Sequence, residues 1–188
     1  WHGMVAHASL GVAKAQELAV AYNQGTFEHI MVKLASKMDA VDMGDGTTLL
    51  DNSLIMLTNE HGQITHHKGP QYPVVTAGGA GGYFNTGKFV DFTDQSVMTF
   101  NVQPSTLLTK PGLIKEYAGL YYNQFLANVL MSMGVPAEEW EHFTEVTADG
   151  PEKSAKTKGY GYHQVNPGYA KKYEKAKPYM SDKLPVIT

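Results

Sequence analysis

Cysteine is absent from this chain, which excludes disulfides, thiolate metal sites and cysteine nucleophiles, and leaves the redox compartment unread. Any metal would have to be held by His, Asp, Glu, Asn or water. Arginine is absent too: all 15 basic side chains are lysines, so no bidentate guanidinium clamp on phosphate, sulfate or carboxylate is available. Lys68 and Lys88 would serve only as point charges. No apolar run reaches the roughly 18 residues that a membrane span needs. The net charge of −3 gives no general attraction to nucleic acid or anionic lipid. Neither nucleic acid nor a membrane span is expected as a partner.

What is present suits a folded α/β chain. At 188 residues the chain has the length of one domain, which typically buries about 70% of its unfolded surface. Hydrophobic residues at 43%, charged residues at 18%, with 19 Gly and 9 Pro, indicate a globular chain with many turns rather than a disordered one. Trp1-His2-Gly3-Met4 lacks the basic and apolar regions of a signal peptide, and a processed or truncated start is expected. From Leu10 to Val41 the pattern is helical. Phe27, Ile30, Met31, Leu34, Met38 and Val41 recur at spacings of three and four that predict one common face, and Gly25 with Thr26 is a candidate break or cap. Asp45-Gly46 marks a turn, and Asp51-Asn52 leads into a predicted strand from Ser53 to Thr58.

The densest chemistry follows that strand. Thr58-Asn59-Glu60-His61-Gly62-Gln63-Ile64-Thr65-His66-His67-Lys68-Gly69 places three of the eight histidines and a carboxylate just past the apolar run Leu54 to Leu57. Sites in open α/β sheets lie at the carboxyl ends of strands, where loop side chains converge. Neutral imidazoles and carboxylates suit zinc, manganese or iron, and such a metal lowers the pKa of a bound water to about 7. His2, His7, Glu60, His61, His66 and His67 would supply ligands for one ion or two. The structural alternative stands beside this one. His66 and His67 would be exposed loop residues, His61 would hydrogen-bond a strand end, and His2 and His7 would belong to a frayed terminus. Spacing alone favours that alternative, because a helical HExxH pattern is missing.

Tyr72 to Ala77 predicts a second short strand, followed by Gly78-Gly79-Ala80-Gly81-Gly82. No helix pattern opens directly after these glycines, so a structural turn is expected there rather than a phosphate cradle. Tyr117 to Met133 predicts a helix with Tyr122, Phe125, Leu126, Val129, Leu130 and Met133 on its apolar stripe, stopped by Gly134 and Pro136. Glu138 and Glu139 open a short helix after Pro136. His29, His142 and His163 read as structural or exposed, and Ser53, Ser96, Ser105 and Ser132 lack a nucleophile elbow. Residues 147–188, rich in Lys, Tyr, Gly and Pro, read as an extended tail wrapping the domain or a neighbour, and residues 1–146 as the domain.

A strand followed by Glu60-His61-Gly62, a nearby His and Tyr72-Pro73-Val74-Val75 resembles the carboxyl-terminal half of the alkaline phosphatase and sulfatase superfamily, in which an Asp-His-Gly closes a strand and binds metal. Met4-Val5-Ala6-His7 before a long helix is similar to the Asp-Met-Val-Gly-His segment of cofactor-independent phosphoglycerate mutases in that superfamily. A closer resemblance is to a generally secreted bacterial family, the domain of unknown function 1552 proteins. It rests on Asp45-Gly46-Thr47-Thr48-Leu49-Leu50-Asp51-Asn52-Ser53, on His66 and His67 ahead of Tyr72-Pro73-Val74, and on Ala77 to Gly82 with Thr86-Gly87-Lys88. Tyr122 to Leu126, Met133-Gly134-Val135-Pro136 and Leu184-Pro185 extend it over most of the chain.

The resemblance implies an α/β three-layer sandwich like the carboxyl-terminal half of an alkaline-phosphatase-like domain, in a secreted or periplasmic protein. It implies a metal-dependent hydrolase of phosphate or sulfate esters, with His61 and Glu60 as ligands, His7, His66, His67 and His2 as further ligands or substrate contacts, and Lys68 as an anion contact. Two departures bear on it. Glu60 stands where the superfamily has Asp, and Gly3 stands where the mutase-like segment has its Asp ligand. The superfamily also places its nucleophile in an amino-terminal half, so a missing half or a partner chain is expected, or a homo-oligomer. The rival expectation is a non-catalytic structural or assembly protein with a degenerate metal site.

Overall fold

The computed structural model describes residues 11–59, 72–102, 114–120, 122–140 and 182–188, and its first element is a helix that changes pitch partway. Helix α1 (Val12–Thr26) runs into a π-helical segment, Phe27–Val32, and then into α2 (Lys33–Asp39). Thr26, Val32 and Lys33 all keep right-handed helical angles across the joins. Gly25 and Thr26 therefore do not break the helix. The wider turn begins just after them.

The inward stripe explains that wider turn. Ala15 and Met31 are buried, with Leu18, Ala19, Thr26, Ala35 and Met38 half-buried between and beyond them. From Thr26 to Met31 the stripe advances five residues, one more than an α-turn accommodates, and a π-turn takes up the extra residue. This corrects the face expected from the sequence. Phe27, Ile30 and Leu34 are 41%, 62% and 44% exposed, because the change of pitch rotates them off the stripe that Met31 and Met38 share, and Val41, 45% exposed, lies past the end of α2.

After Asp39 the chain folds into a loop held by short side chains. Asp42 and Thr48 form an isolated antiparallel bridge, flanked by Leu49 N–H donating to Val41 O at 2.9 Å and Met43 N–H donating to Thr47 O at 3.0 Å. Strand β1 (Ile55–Thr58) then pairs antiparallel with β2 (Val74–Ala77), in the register Ile55 with Ala77 and Thr58 with Val74. Both predicted strands are present, each starting two residues later than its predicted span. The glycine run after β2 returns against the loop: Ala80 N–H donates to Ser53 O and Gly81 N–H to Asp51 O, each at 2.9 Å. Gly78 has φ +90°, and a Cβ there would meet Ser53 O at 2.3 Å and Leu50 O at 2.5 Å. Only glycine fits, which accounts for the run as a structural turn.

These elements, through Gly82, make one compact unit, and the described residues from Tyr83 onward make a second. In the second, β3 (Asp94–Val102) pairs antiparallel with β4 (Ile114–Ala118), with register shifts on either side of Met98. Helix α3 (Tyr122–Ser132) follows. The helix expected from Tyr117 is thus two elements. Tyr117 belongs to a strand and pairs with Met98, since the ladder with β3, to which the sequence pattern assigned nothing, claims this segment. Gly119 parts strand from helix where a Cβ would lie 3.1 Å from Phe92 O.

The stop of α3 follows its sequence. Gly134 has φ +76°, its N–H donates to Met131 O at 3.0 Å, and Val135 N–H donates to Leu130 O at 3.1 Å, the paired bonds of a Schellman end. A short 3₁₀ turn, Ala137–Glu139, comes after Pro136 and delivers Trp140, 5% exposed, onto Ala127. The buried face of α3 is Gln124, Phe125, Ala127 and Asn128, while Met133 is 73% exposed. That departs from the apolar stripe because an amide, Asn128, occupies the interior.

Candidate functional site

The β1–β2 ladder fixes where the histidine-rich stretch leaves and returns. Thr58 and Val74 are register partners, and Thr58 Oγ1 donates to Pro73 O at 2.7 Å. Residues 59–73 therefore depart from and rejoin one end of one ladder, the carboxyl end of β1. The glycine turn and Asp51 lie at the opposite end, since Ile55 pairs with Ala77. The candidate ligands Glu60, His61, His66 and His67, the anion contact Lys68, and His2 and His7 lie outside the described residues. So do His142, His163 and Ser105.

The described candidates are occupied or exposed. Lys88 is exposed, and its Nζ donates to Val186 O at 3.0 Å. Ser96 Oγ and Ser96 N–H both donate to Asp94 Oδ1, at 2.5 and 3.0 Å, a local turn two residues apart, and Ser132 Oγ donates to the carbonyl of Val129 at 2.7 Å. His29 is exposed within the π segment. Among the described residues no three His, Asp or Glu side chains are grouped to hold a metal ion.

The carboxylates of the Asp42–Asn52 loop act on the loop itself. Asp51 Oδ2 accepts Thr48 N–H at 2.7 Å and Thr48 Oγ1–H at 2.9 Å, and Asp45 Oδ1 accepts Thr47 N–H at 2.9 Å. The Thr47 hydroxyl and amide hold Asp45 below the usual carboxylate range, and the Thr48 amide and hydroxyl do the same for Asp51. Asn52 Nδ2 closes the loop by donating to Thr47 Oγ1 at 2.7 Å. These bonds set the approach of the chain into β1.

A second polar centre sits in the other unit, and the sequence reading had not singled it out. Asn128 is fully buried in α3. Its Nδ2 donates to Gln124 O at 2.8 Å and Asp182 O at 3.1 Å, while its Oδ1 accepts Tyr83 Oη–H at 3.0 Å and Leu184 N–H at 3.2 Å. Every hydrogen-bonding position of the amide is used. Leu184 is 4% exposed. Phe84 packs on Phe125 with ring centres 5.8 Å apart, and Lys183 Nζ lies 5.2 Å from the Tyr83 ring centre. Between Phe92, Leu120 and Gln124 on one side and Asp182 to Pro185 on the other runs a cleft of about 380 Å³. An Asn amid Leu126, Val129 and Leu130 was the available signal, because Asn is a poor helix former unless its amide has a specific task.

No protein-family model, curated protein or solved structure matches this chain. No described helix is long and apolar enough to cross a membrane.

Proposed function

We propose that this chain is the metal-binding part of a hydrolase-like protein acting on phosphate or sulfate esters, within an α/β sandwich of alkaline-phosphatase type that is completed by a further half or a partner chain. One observation supports this reading most: the pairing of Thr58 with Val74 closes residues 59–73 into a single excursion at the carboxyl end of β1. Glu60, His61, His66, His67 and Lys68 all belong to that excursion. Imidazole and carboxylate donors of this set suit zinc, manganese or iron. A bound divalent metal would supply Lewis acidity toward an anionic ester. Glu60 and His61 would hold it, His66, His67 and the more distant His2 and His7 would complete the set or contact substrate, and Lys68 would offset ester charge.

Calorimetric titration of the purified chain with zinc and with manganese tests the reading. Binding that weakens at least tenfold in both His61→Ala and Glu60→Gln supports it, as does weakening on acidification below about pH 6.5, where imidazoles protonate. Binding unchanged in both variants contradicts it.

A second reading, a structural or assembly protein with a degenerate site, is favoured by a separate observation. Val20, Ile30 and Leu34 are 65%, 62% and 44% exposed on the long helix, apolar area that a neighbour would cover. Under it the chain takes up no metal.

A further inference from the structure

The wall that Asp182 to Pro185 give to the cleft opposite Phe92, Leu120 and Gln124 has a backbone bonded at almost every step. The fully buried amide of Asn128 holds Asp182 O at 3.1 Å and Leu184 N–H at 3.2 Å, and Thr188 Oγ1 donates to Leu184 O at 2.6 Å. Asn85 N–H donates to Ile187 O at 2.8 Å. Between them Val186 has φ +74°, a left-handed conformation that a β-branched residue adopts only where its surroundings enforce it. The wall is therefore preorganised, which lowers the ordering cost of binding against it.

The lining combines hydrocarbon with two charges of opposite sign. Phe92, Leu120, Leu184 and Pro185 supply the first, and Gln124, 7% exposed, adds a polar position among them. Asp182 and Lys183 are adjacent and exposed, yet neither forms an ion pair among the described residues. Lys183 Nζ stands instead 5.2 Å from the Tyr83 ring centre, a contact that places the cation without neutralising it. At about 380 Å³ the cleft falls near the lower end of the roughly 300–1,000 Å³ of small-ligand sites. A simple anion would gain at Lys183 what it loses at Asp182, and a simple cation the reverse. A ligand that carries both charges beside a short apolar body matches all three features.

We infer that this cleft binds a free α-amino acid with an apolar side chain, its carboxylate toward Lys183, its ammonium group toward Asp182 and its side chain against Phe92, Leu120 and Leu184. The inference is independent of the metal reading. Because both charges are exposed to solvent, each contributes a severalfold preference rather than an absolute requirement.

L-Phenylalanine is the probe, beside N-acetyl-L-phenylalanine, which lacks the ammonium group, and L-phenylalanine amide, which lacks the carboxylate. Each is titrated into the full chain at mildly acidic pH, where α-amino and α-carboxyl groups are both charged, and followed by amide NMR shifts. The expected result is saturable shifts at the Leu184 amide and the Gln124 side chain, with L-phenylalanine bound at least threefold more tightly than either analogue. Lys183→Met should erase the preference over the amide, and Asp182→Asn the preference over the N-acetyl compound. Both substitutions lie at exposed positions, and unchanged amide shifts elsewhere verify the fold. Absence of saturable shifts at Leu184 and Gln124 overturns the inference. Equal binding of the three probes overturns it too, as does either preference persisting in its variant.

Discussion

Asn128 holds Leu184 from the interior: its Oδ1 accepts the Leu184 N–H at 3.2 Å across 56 positions of sequence, while the same oxygen accepts the hydroxyl of Tyr83. One fully buried side chain thus joins α3, the segment at Tyr83 and the segment at Leu184. Replacing it by Ala leaves the buried Leu184 N–H without its acceptor, whereas the half-buried Tyr83 hydroxyl and the carbonyl of exposed Asp182 can turn to water. One buried unsatisfied group costs about 1–3 kcal/mol, so Asn128→Ala should lose about that much stability. Urea unfolding would read this as a lower midpoint. Hydrogen exchange should show the Leu184 amide losing its protection.

Tyr83 gives this centre a pH limit. Burial raises its phenol above the ordinary value of 10.0. A raised pKa means that the fold favours the protonated form, so the contribution is complete below about pH 10 and is lost as pH rises through the higher folded value. Only as a neutral phenol can Tyr83 donate to Asn128. Ultraviolet titration of tyrosinate should show one tyrosine ionising later than free phenol, and the Leu184 amide should lose protection in the same range. In Tyr83→Phe the late-ionising group should vanish. Protection of Leu184 that is insensitive to alkali in the parent chain would contradict the assignment.

The glycine run separates into positions with different demands. At Gly78 a Cβ would collide with two carbonyls, whereas at Gly82, φ +85°, nothing lies within 4 Å of it. Gly82→Ala should cost the left-handed backbone penalty alone, about 1–2 kcal/mol. Gly78→Ala adds overpacking of a further 1–3 kcal/mol or so. Parallel denaturation curves check the order. Equal losses would mean that Gly78 does not pack against Ser53.

How far the sequence reached can be seen residue by residue. Strands β1 and β2 were legible because Leu54 to Leu57 and Val74 to Ala77 are short apolar runs bounded by turn residues. The end of α3 was legible because Gly134 and Pro136 have local consequences. The face of the long helix was not, since a 3.6-residue period carries no sign of the π-turn that shifts the stripe between Thr26 and Met31. Nor was β4, whose state depends on pairing with β3 and not on its own periodicity. The histidine-rich stretch could be found as chemistry. The structure adds the closed ends at Thr58 and Val74 that frame it.

Metal content of the purified chain, measured by elemental mass spectrometry beside a His61→Ala, His66→Ala, His67→Ala triple variant, tests the hydrolase reading most directly. The account predicts close to one or two equivalents of zinc, manganese or iron per parent chain and almost none in the variant, with helix content unchanged by circular dichroism. A parent chain free of metal, or a variant that retains the full amount, would contradict it.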